Sequence, residues 1–255
     1  CELRFGEPLS AYTTFQVGGP ADVLALPRDE SELEELVERC SSEGLESTVI
    51  GGGANTLVLD GGVRGVVISL SKGFRQITLE EAPGETARIE SGAGVKIPAL
   101  VRFATAGGWE GLECLSGVPG TVGGALAMNA GTGKRFIEDS VESIRWIRLS
   151  QGGVERLLAG EIQFGYRTAL FPEPGIVTSI CFRVIRKDSE KLRTFLQADA
   201  KARRERQPWG MPCAGSIFRN PPGDFAGRLI ESAGLKGRRI GGAEVSEVHG
   251  NFIVN

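Results

Sequence analysis

The sequence is short of histidine, the side chain that most often serves as a general base or metal ligand near neutral pH. Its 255 residues contain one, His249, so any histidine-dependent triad would rest on that residue alone. The five cysteines stand singly, without a Cys-x-x-Cys pair, which argues against a disulfide framework and against a zinc site. This cysteine usage predicts a reducing, cytoplasmic location and no bound metal.

Long apolar runs and an excess of positive charge are also missing. No apolar stretch approaches the roughly 18 residues that a membrane helix needs, and the first residues, C-E-L-R-F-G-E, show no signal-peptide pattern. The formal net charge is −3 and the isoelectric point is about 5.5, whereas a nucleic-acid-binding surface is normally basic. We therefore expect neither a membrane nor a nucleic acid as a partner.

Glycine is abundant instead, with 37 residues, and it is concentrated in the segment L-S-G-V-P-G-T-V-G-G-A-L-A-M-N-A-G-T-G-K-R at 115–135. Glycine loses much conformational entropy on folding, so this density needs a geometric reason. One reason is a bulky ligand lying directly on the backbone, whose N–H groups would also suit an anion. The alternative is a tight turn between two core strands.

A second glycine-rich segment, G-G-G-A-N-T-L-V at 51–58, follows a predicted strand at 47–50. A strand, then glycines, then small polar residues is the order found in loops that cradle a phosphate. The segment lacks the Gly-Lys-Ser/Thr of a Walker A loop and is not a GxGxxG motif. A plain β-turn is the alternative here.

Hydrophobic periodicity predicts helices at 28–44 (with Ser31 as N-cap), 97–107, 189–206 and 226–234. Alternating apolar residues predict strands at 63–70, 74–79, 87–91, 141–149, 154–158, 175–185 and 240–245. Residues 183–207 carry nine Lys/Arg against four Asp/Glu. This basic stretch is either a solvated helix face or a helix whose end steers a diphosphate ligand.

Further motifs follow one another in a fixed order along nearly the whole chain. With the two glycine-rich segments the set is T-T-F-Q-V-G-G-P-A (13–21), G-G-G-A-N-T-L-V (51–58), G-L-E-C-L-S-G-V-P-G-T-V-G-G-A (111–125), M-N-A-G (128–131), F-G-Y-R-T (164–168), A-G-S-I-F-R-N-P (214–221), A-G-R-L-I-E-S-A-G-L-K-G (226–237), G-G-A-E-V-S (241–246) and H-G-N-F-I-V-N (249–255). In these motifs the chain resembles the flavin-dependent UDP-N-acetylenolpyruvoylglucosamine reductases (the MurB family) of peptidoglycan synthesis.

The resemblance implies an α+β fold: a two-lobed FAD-binding domain of the vanillyl-alcohol-oxidase (PCMH) type at 1–185, followed by a smaller α+β substrate domain at 186–255. The lobes would cover about 1–70 and 71–185. It implies FAD as a non-covalent cofactor and NADPH as the electron donor. The flavin region has no histidine for a covalent link, which favours non-covalent binding.

The resemblance also assigns roles to residues. The 51–58 loop would hold the FAD diphosphate, and the glycines of 117–131 would let the flavin ring lie on backbone. The cofactor-binding residues implied are Gly51, Gly52, Gly53, Ala54, Asn55, Thr56, Leu57, Gly117, Pro119, Gly120, Gly123, Gly124, Ala125, Asn129, Ala130, Gly131 and Val177.

In the implied reaction, NADPH reduces FAD, and the flavin then reduces an enolpyruvyl ether of a UDP-sugar. Ser216 matches the proton donor, although a serine hydroxyl is a weak acid that needs a developing carbanion within reach. Arg167 matches the arginine that pairs with the substrate carboxylate, because a guanidinium fork fits a planar carboxylate. Asn220 is a further substrate ligand, whereas His249 is interpreted as structural.

Two departures from the family pattern stand out. The family has a catalytic glutamate in a final strand beyond N-F-I-V-N, and no residue of this sequence matches it, so we expect the sequence to be truncated there. Residues 168–172 run directly into the next strand, as in the shorter type of family member that lacks an inserted tyrosine lid.

The alternatives to the reductase are a flavin oxidase of the same fold and a non-catalytic nucleotide-sugar-binding protein. A monomer is expected.

Overall fold

The structure is a computed structural model that describes residues 1–132, 135–150 and 152–255. Its first lobe is a four-stranded sheet with one helix. The elements are β1 (Glu2–Pro8), β2 (Pro20–Leu26), α1 (Glu30–Ser42), β3 (Ser47–Ile50) and β4 (Val63–Ser69). The strand order is β1-β2-β4-β3, in which β1 is antiparallel to β2 and the other pairs are parallel.

The N-cap of helix α1 is Asp29, two residues before the predicted cap at Ser31. The Asp29 carboxylate accepts the Glu32 N–H at 2.9 Å, and Ser31 already lies inside the helix. The N-cap prediction at Ser31 was therefore wrong, because the Asp29 carboxylate accepts the unpaired N–H of the first turn. Leu33 and Val37 form the buried face of α1.

The second lobe is built on a larger antiparallel sheet in the order β11-β10-β14-β6-β5, with β7 paired to the end of β14. Two short hairpins, β8–β9 and β12–β13, lie outside this sheet. The elements are β5 (Ile77–Glu81), β6 (Thr86–Gly92), α2 (Ile97–Ala106), β7 (Trp109–Glu110), α3 (Val122–Ala127), β8 (Gly131–Thr132), β9 (Arg135–Phe136), β10 (Val141–Arg148), β11 (Gly152–Leu158), β12 (Gln163–Gly165), β13 (Thr168–Leu170) and β14 (Gly175–Arg186).

The two lobes share one apolar core. Leu33 and Val37 of α1 belong to the same buried cluster as Trp146 and Phe182 of the second sheet. Burial of such side chains contributes about 1.5–3 kcal/mol each. A hydrogen bond also joins the two lobes, in which the Thr178 hydroxyl donates to the Glu30 carboxylate at 2.6 Å. The Arg145 guanidinium, which also binds Glu30, lowers the pKa of that carboxyl.

The remaining chain forms a helix and a third sheet. The elements are α4 (Ser189–Arg206), β15 (Cys213–Ser216), α5 (Ala226–Ser232), β16 (Arg239–Ile240), β17 (Ala243–Val245) and β18 (Phe252–Val254), with sheet order β15-β18-β17-β16. The strand predicted at 240–245 is divided, because the chain reverses at Gly241, where φ is +59°. No helix in the described ranges has both the length and the apolar character to span a membrane.

Candidate active site

The first glycine-rich loop leaves its amide groups available. Within the part of the chain that the structure describes, no N–H from Gly52 to Leu57 donates a hydrogen bond. The loop is held through a carbonyl instead, since Gly53 O accepts the Thr14 N–H at 3.1 Å. Consecutive free N–H groups at the end of a strand form a nest that suits an anionic group such as a phosphate.

Packing within the protein also requires glycine at these positions of the loop. A Cβ at Gly52 would lie 2.5 Å from Gly120 Cα, and one at Gly53 would lie 2.1 Å from Tyr12 O. Gly53 has a φ of +62° as well. A Cβ at Gly51 would lie 2.7 Å from Thr121 Oγ1. The first loop therefore packs directly on the second, and a side chain at Gly52 would separate them.

The second glycine-rich segment is a preformed platform whose amides are mostly paired. Val122 N donates to Val95 O at 2.9 Å, and Gly123 N donates to Ala93 O at 2.9 Å. Thr121 is the N-cap of α3 and accepts the Gly124 N–H. A Cβ at Gly123 would lie 2.9 Å from Ala93 Cβ, so α3 packs closely on the end of β6.

Some of the residues predicted to bind the cofactor are explained by contacts within the protein. A Cβ at Gly131 would lie 2.3 Å from Arg135 O, so this glycine is required by the β8–β9 hairpin. A Cβ at Gly117 would meet the side chain of Arg203 on α4 at 2.7 Å. Val177 is half-buried in β14, and its neighbour Thr178 braces the platform by accepting the Ala93 N–H at 2.8 Å.

Two further predicted glycines, Gly120 and Gly124, are less crowded. Gly120 faces the first loop, since its missing Cβ would lie 3.4 Å from Ala54 Cβ. Gly124 has open space apart from Thr121 Oγ1 at 3.4 Å. The remaining residues of the set are Thr56, Pro119, which is exposed, Ala125, which is buried, and Ala130, which is half-buried.

Asn129 connects the platform to the hairpin that carries Arg167. It has a φ of +42°, and its Nδ2 donates to Gly165 O at 3.3 Å. Its Oδ1 is buried without a hydrogen-bond partner among the described residues. A buried acceptor of this kind normally has a partner, so Asn129 is equipped to accept a hydrogen bond from a ligand.

Arg167, Ser216 and Asn55 meet although they are far apart in sequence. Arg167 stands at the turn between β12 and β13 with a φ of +58°. Its Nη1 donates to Ser216 O at 3.1 Å, and its Nη2 donates to Asn55 Oδ1 at 2.5 Å. The two predicted catalytic residues are therefore adjacent, at the edge of the first glycine-rich loop.

The third sheet is fixed to this centre by polar contacts that the sequence reasoning missed. Thr14 Oγ1 donates to Cys213 O at 2.6 Å, and Gly53 O lies 3.3 Å from the same hydroxyl oxygen. Buried Asn251 accepts the Phe218 N–H at 2.8 Å. The signal was the T-T-F-Q motif at 13–16, which contributed to the resemblance but received no role of its own.

The remaining polar candidates lie near α5. Asn220 Oδ1 accepts the Ala226 N–H at 3.0 Å at the start of this helix. Its Nδ2 has no partner among the described residues, and its Oδ1 can accept one further hydrogen bond. Burial lowers the pKa of His249, and its Nδ1 accepts the Asn251 N–H at 3.1 Å. This neutral, structurally bonded imidazole agrees with a structural role.

A cavity of about 750 Å³ lies on the other side of the platform, between α4 and the β8–β9 hairpin. Two of its cations are paired, Lys187 with Glu110 at 3.7 Å and Arg135 with Glu113 at 4.0 Å. It is lined by none of the predicted site residues.

Two family models match the chain. Residues 21–157 match a FAD binding domain, and residues 207–255 match the C-terminal domain of UDP-N-acetylenolpyruvoylglucosamine reductase. The free N–H groups of the first loop and the buried acceptor of Asn129 fit a dinucleotide with a diphosphate and a polar ring. Fold and site together define a two-lobed FAD-binding protein of the PCMH type.

Whole-length relatives identify the family. The UDP-N-acetylenolpyruvoylglucosamine reductase of Geotalea uraniireducens is 45% identical over 254 residues, covering 100% of this chain and 82% of that protein. UDP-N-acetylenolpyruvoylglucosamine reductase 1 of Bacillus cereus is 43% identical over 251 residues, covering 98% and 81%. The chain belongs to the UDP-N-acetylenolpyruvoylglucosamine reductase family.

Solved structures agree with this assignment. The crystal structure of UDP-N-acetylenolpyruvylglucosamine reductase from Thermus caldophilus matches with a TM-score of 0.86 and 38% identity, covering 100% of this chain and 87% of that one. A solvent-stable cholesterol oxidase matches with a TM-score of 0.54 and 15% identity, covering 72% and 38%. The second match supports the FAD-binding fold alone.

Proposed function

We propose that the protein is a FAD-dependent, NADPH-using reductase that converts UDP-N-acetylglucosamine enolpyruvate to UDP-N-acetylmuramate in peptidoglycan synthesis. Its relatives carry the corresponding reductase names at 43–45% identity over nearly the whole chain. The observation that carries the proposal is the contact of Arg167 with both Ser216 and the first glycine-rich loop. It joins the residues expected to act on the substrate to the loop expected to hold the cofactor.

Bound FAD would supply the two electrons that reduce the enolpyruvyl double bond, and the two glycine-rich segments would hold it. The free N–H groups from Gly52 to Leu57 would bind its diphosphate. Gly124 and its neighbours on the platform would lie under the ring, where Gly124 leaves open space. Asn129 Oδ1 would accept a hydrogen bond from it.

Arg167 would bind the substrate carboxylate and stabilise the negative charge that forms beside it during reduction. Its guanidinium already has two neutral acceptors, Ser216 O and Asn55 Oδ1, and can offer further N–H groups to a carboxylate. The Ser216 hydroxyl has no hydrogen-bond partner within the described ranges, and the backbone carbonyl of the same residue accepts a hydrogen bond from Arg167. The hydroxyl would give its proton to the carbon adjacent to the carboxylate.

The domain division at 1–185 and 186–255, with lobes of about 1–70 and 71–185, is part of the proposal. It is supported by the grouping of strands, since the third sheet draws only on residues from Cys213 onward. Monomeric state, cytoplasmic location and the absence of nucleic-acid and membrane partners remain proposals from composition. The net charge of −3 supports the exclusion of nucleic acid.

The proposed roles predict opposite behaviour of the two half-reactions in Ser216→Ala. Reduction of bound flavin by NADPH should proceed near the wild-type rate, whereas re-oxidation by the enolpyruvyl substrate should fall about 10²- to 10⁴-fold, because the proton donor is lost. Stopped-flow absorbance of the flavin measures both steps. Equal loss in both would contradict the role of Ser216.

Two alternatives have their own signatures. A flavin oxidase of the same fold would consume oxygen rapidly and would not respond to the nucleotide sugar. A non-catalytic nucleotide-sugar-binding protein would bind the substrate without turning it over. Full-length protein that cannot bind flavin at all would contradict the reductase proposal.

A further inference from the structure

The guanidinium of Arg167 is held by two neutral acceptors. Most arginines of the described chain pair with a carboxylate, as Arg228 does with Asp224 and Arg203 with Asp199. Arg167 instead donates to an amide oxygen, Asn55 Oδ1, and to a backbone carbonyl, Ser216 O. Both of its hydrogen-bond partners among the described residues are neutral, and neither is a carboxylate. Its positive charge is therefore fixed in place without being neutralised.

The amide of Asn55 is itself oriented. Its Nδ2 lies 3.4 Å from Met128 Sδ, at the end of α3, and its Oδ1 lies 2.5 Å from Arg167 Nη2. Asn55 thus spans from the platform to the β12–β13 hairpin. The hairpin turn needs such support, because Arg167 has a left-handed φ of +58° that is costly for a residue with a side chain.

We propose that Asn55 is a positioning residue for substrate binding, which acts through Arg167. Its amide oxygen aims the guanidinium at the site of the substrate carboxylate and leaves the charge of that guanidinium intact. The inference rests on the proposed function and adds to it, because sequence reasoning gave Asn55 only a cofactor-binding role. An acid at this position would serve badly, since it would pair with Arg167 and repel the incoming carboxylate.

The test is a double-mutant cycle in the full chain with variants Asn55→Ala, Asn55→Asp, Arg167→Ala and Asn55→Ala/Arg167→Ala. Flavin content at saturating FAD is measured first, and substrate Kd is then measured by calorimetry. We expect normal flavin content and a substrate Kd about tenfold weaker in Asn55→Ala, because a charge-assisted hydrogen bond is lost. Asn55→Asp should weaken the Kd further.

The cycle separates action through Arg167 from a direct contact. In the Arg167→Ala background, Asn55→Ala should change the Kd less than twofold, because the guanidinium it positions is gone. Leu59→Ala is the matched control, since Leu59 directly follows the first glycine-rich segment and is 72% exposed. This control should bind substrate as the wild type does.

Three results would overturn the inference: a wild-type Kd in Asn55→Ala, the same tenfold loss in both backgrounds, or loss of flavin at saturating FAD. The last would leave Asn55 a cofactor ligand only. The failure of the proposed function looks different, because the wild type itself would then lack flavin or substrate binding, and the positioning role would fall with it.

Discussion

The two glycine-rich segments have similar compositions but different backbones. In the first, the N–H groups from Gly52 to Leu57 have no acceptor among the described residues. In the second, Val122, Gly123 and Gly124 donate to Val95 O, Ala93 O and Thr121 Oγ1. The first is therefore open to an anionic ligand, whereas the second is a folded platform that can take a flat ring.

Glycine density marks a close approach but does not say what approaches. Gly52 is required because Gly120 lies against it, and Gly131 because the β8–β9 hairpin closes on it. Gly124 has space that a ring could use, with one atom, Thr121 Oγ1, within 4 Å of its missing Cβ. The same residue type thus serves protein packing at some positions and cofactor access at others.

The largest effect is expected from Gly52→Ala, which would force the two glycine-rich segments apart. The new methyl would lie 2.5 Å from Gly120 Cα and 3.0 Å from Gly120 C, and neither backbone atom can move away cheaply. Overpacking of this kind typically costs about 1–3 kcal/mol. We expect a lower melting temperature and at least tenfold weaker FAD binding, measured by thermal unfolding and by flavin titration.

Gly61→Ala is the matched control for this variant. Gly61 is in the same lobe, and no atom lies within 4 Å of its missing Cβ. Its melting temperature and flavin content should equal those of the wild type. A Gly52→Ala protein that behaved like this control would show that the two segments need not touch.

A smaller effect is expected from Gly124→Ala, which should change FAD binding without lowering the stability of the fold. Gly124 lies within α3, where alanine is favoured over glycine by about 1 kcal/mol. The variant without FAD should be at least as stable as the wild type. Its FAD affinity should fall about tenfold, because the methyl would occupy space proposed for the ring, and unchanged affinity would remove Gly124 from the site.

Much of the fold could be predicted from local pattern. The helices at Glu30–Ser42, Ile97–Ala106 and Ser189–Arg206 agree with the predicted ranges to within two residues, because apolar spacing and breakers determine such elements. The short hairpins β8–β9 and β12–β13 were missed. Strands of two or three residues carry no periodic signal, and their pairing depends on the surrounding structure.

The candidate site could be predicted only as a set of separate residues. Arg167 and Ser216 were assigned from motifs that lie 49 residues apart, and Asn55 lies 112 residues from Arg167. Nothing in their spacing indicates that they touch. Their contact follows from the placement of the β12–β13 hairpin against the first loop and β15, which is a property of the assembled fold.

The smallest expected effect comes from Thr121→Val. It would leave the Gly124 N–H without an acceptor, like the N–H groups of the first segment. Thr121 is 3% exposed, and its hydroxyl oxygen accepts the Gly124 N–H at 3.4 Å. Valine keeps the shape but removes the acceptor, so the stability should fall by about 1 kcal/mol, as for other lost N-caps. Thr121→Ser retains the oxygen and should lose less than half as much. Urea unfolding of both variants measures the difference, and equal stabilities would mean that the platform does not depend on this cap.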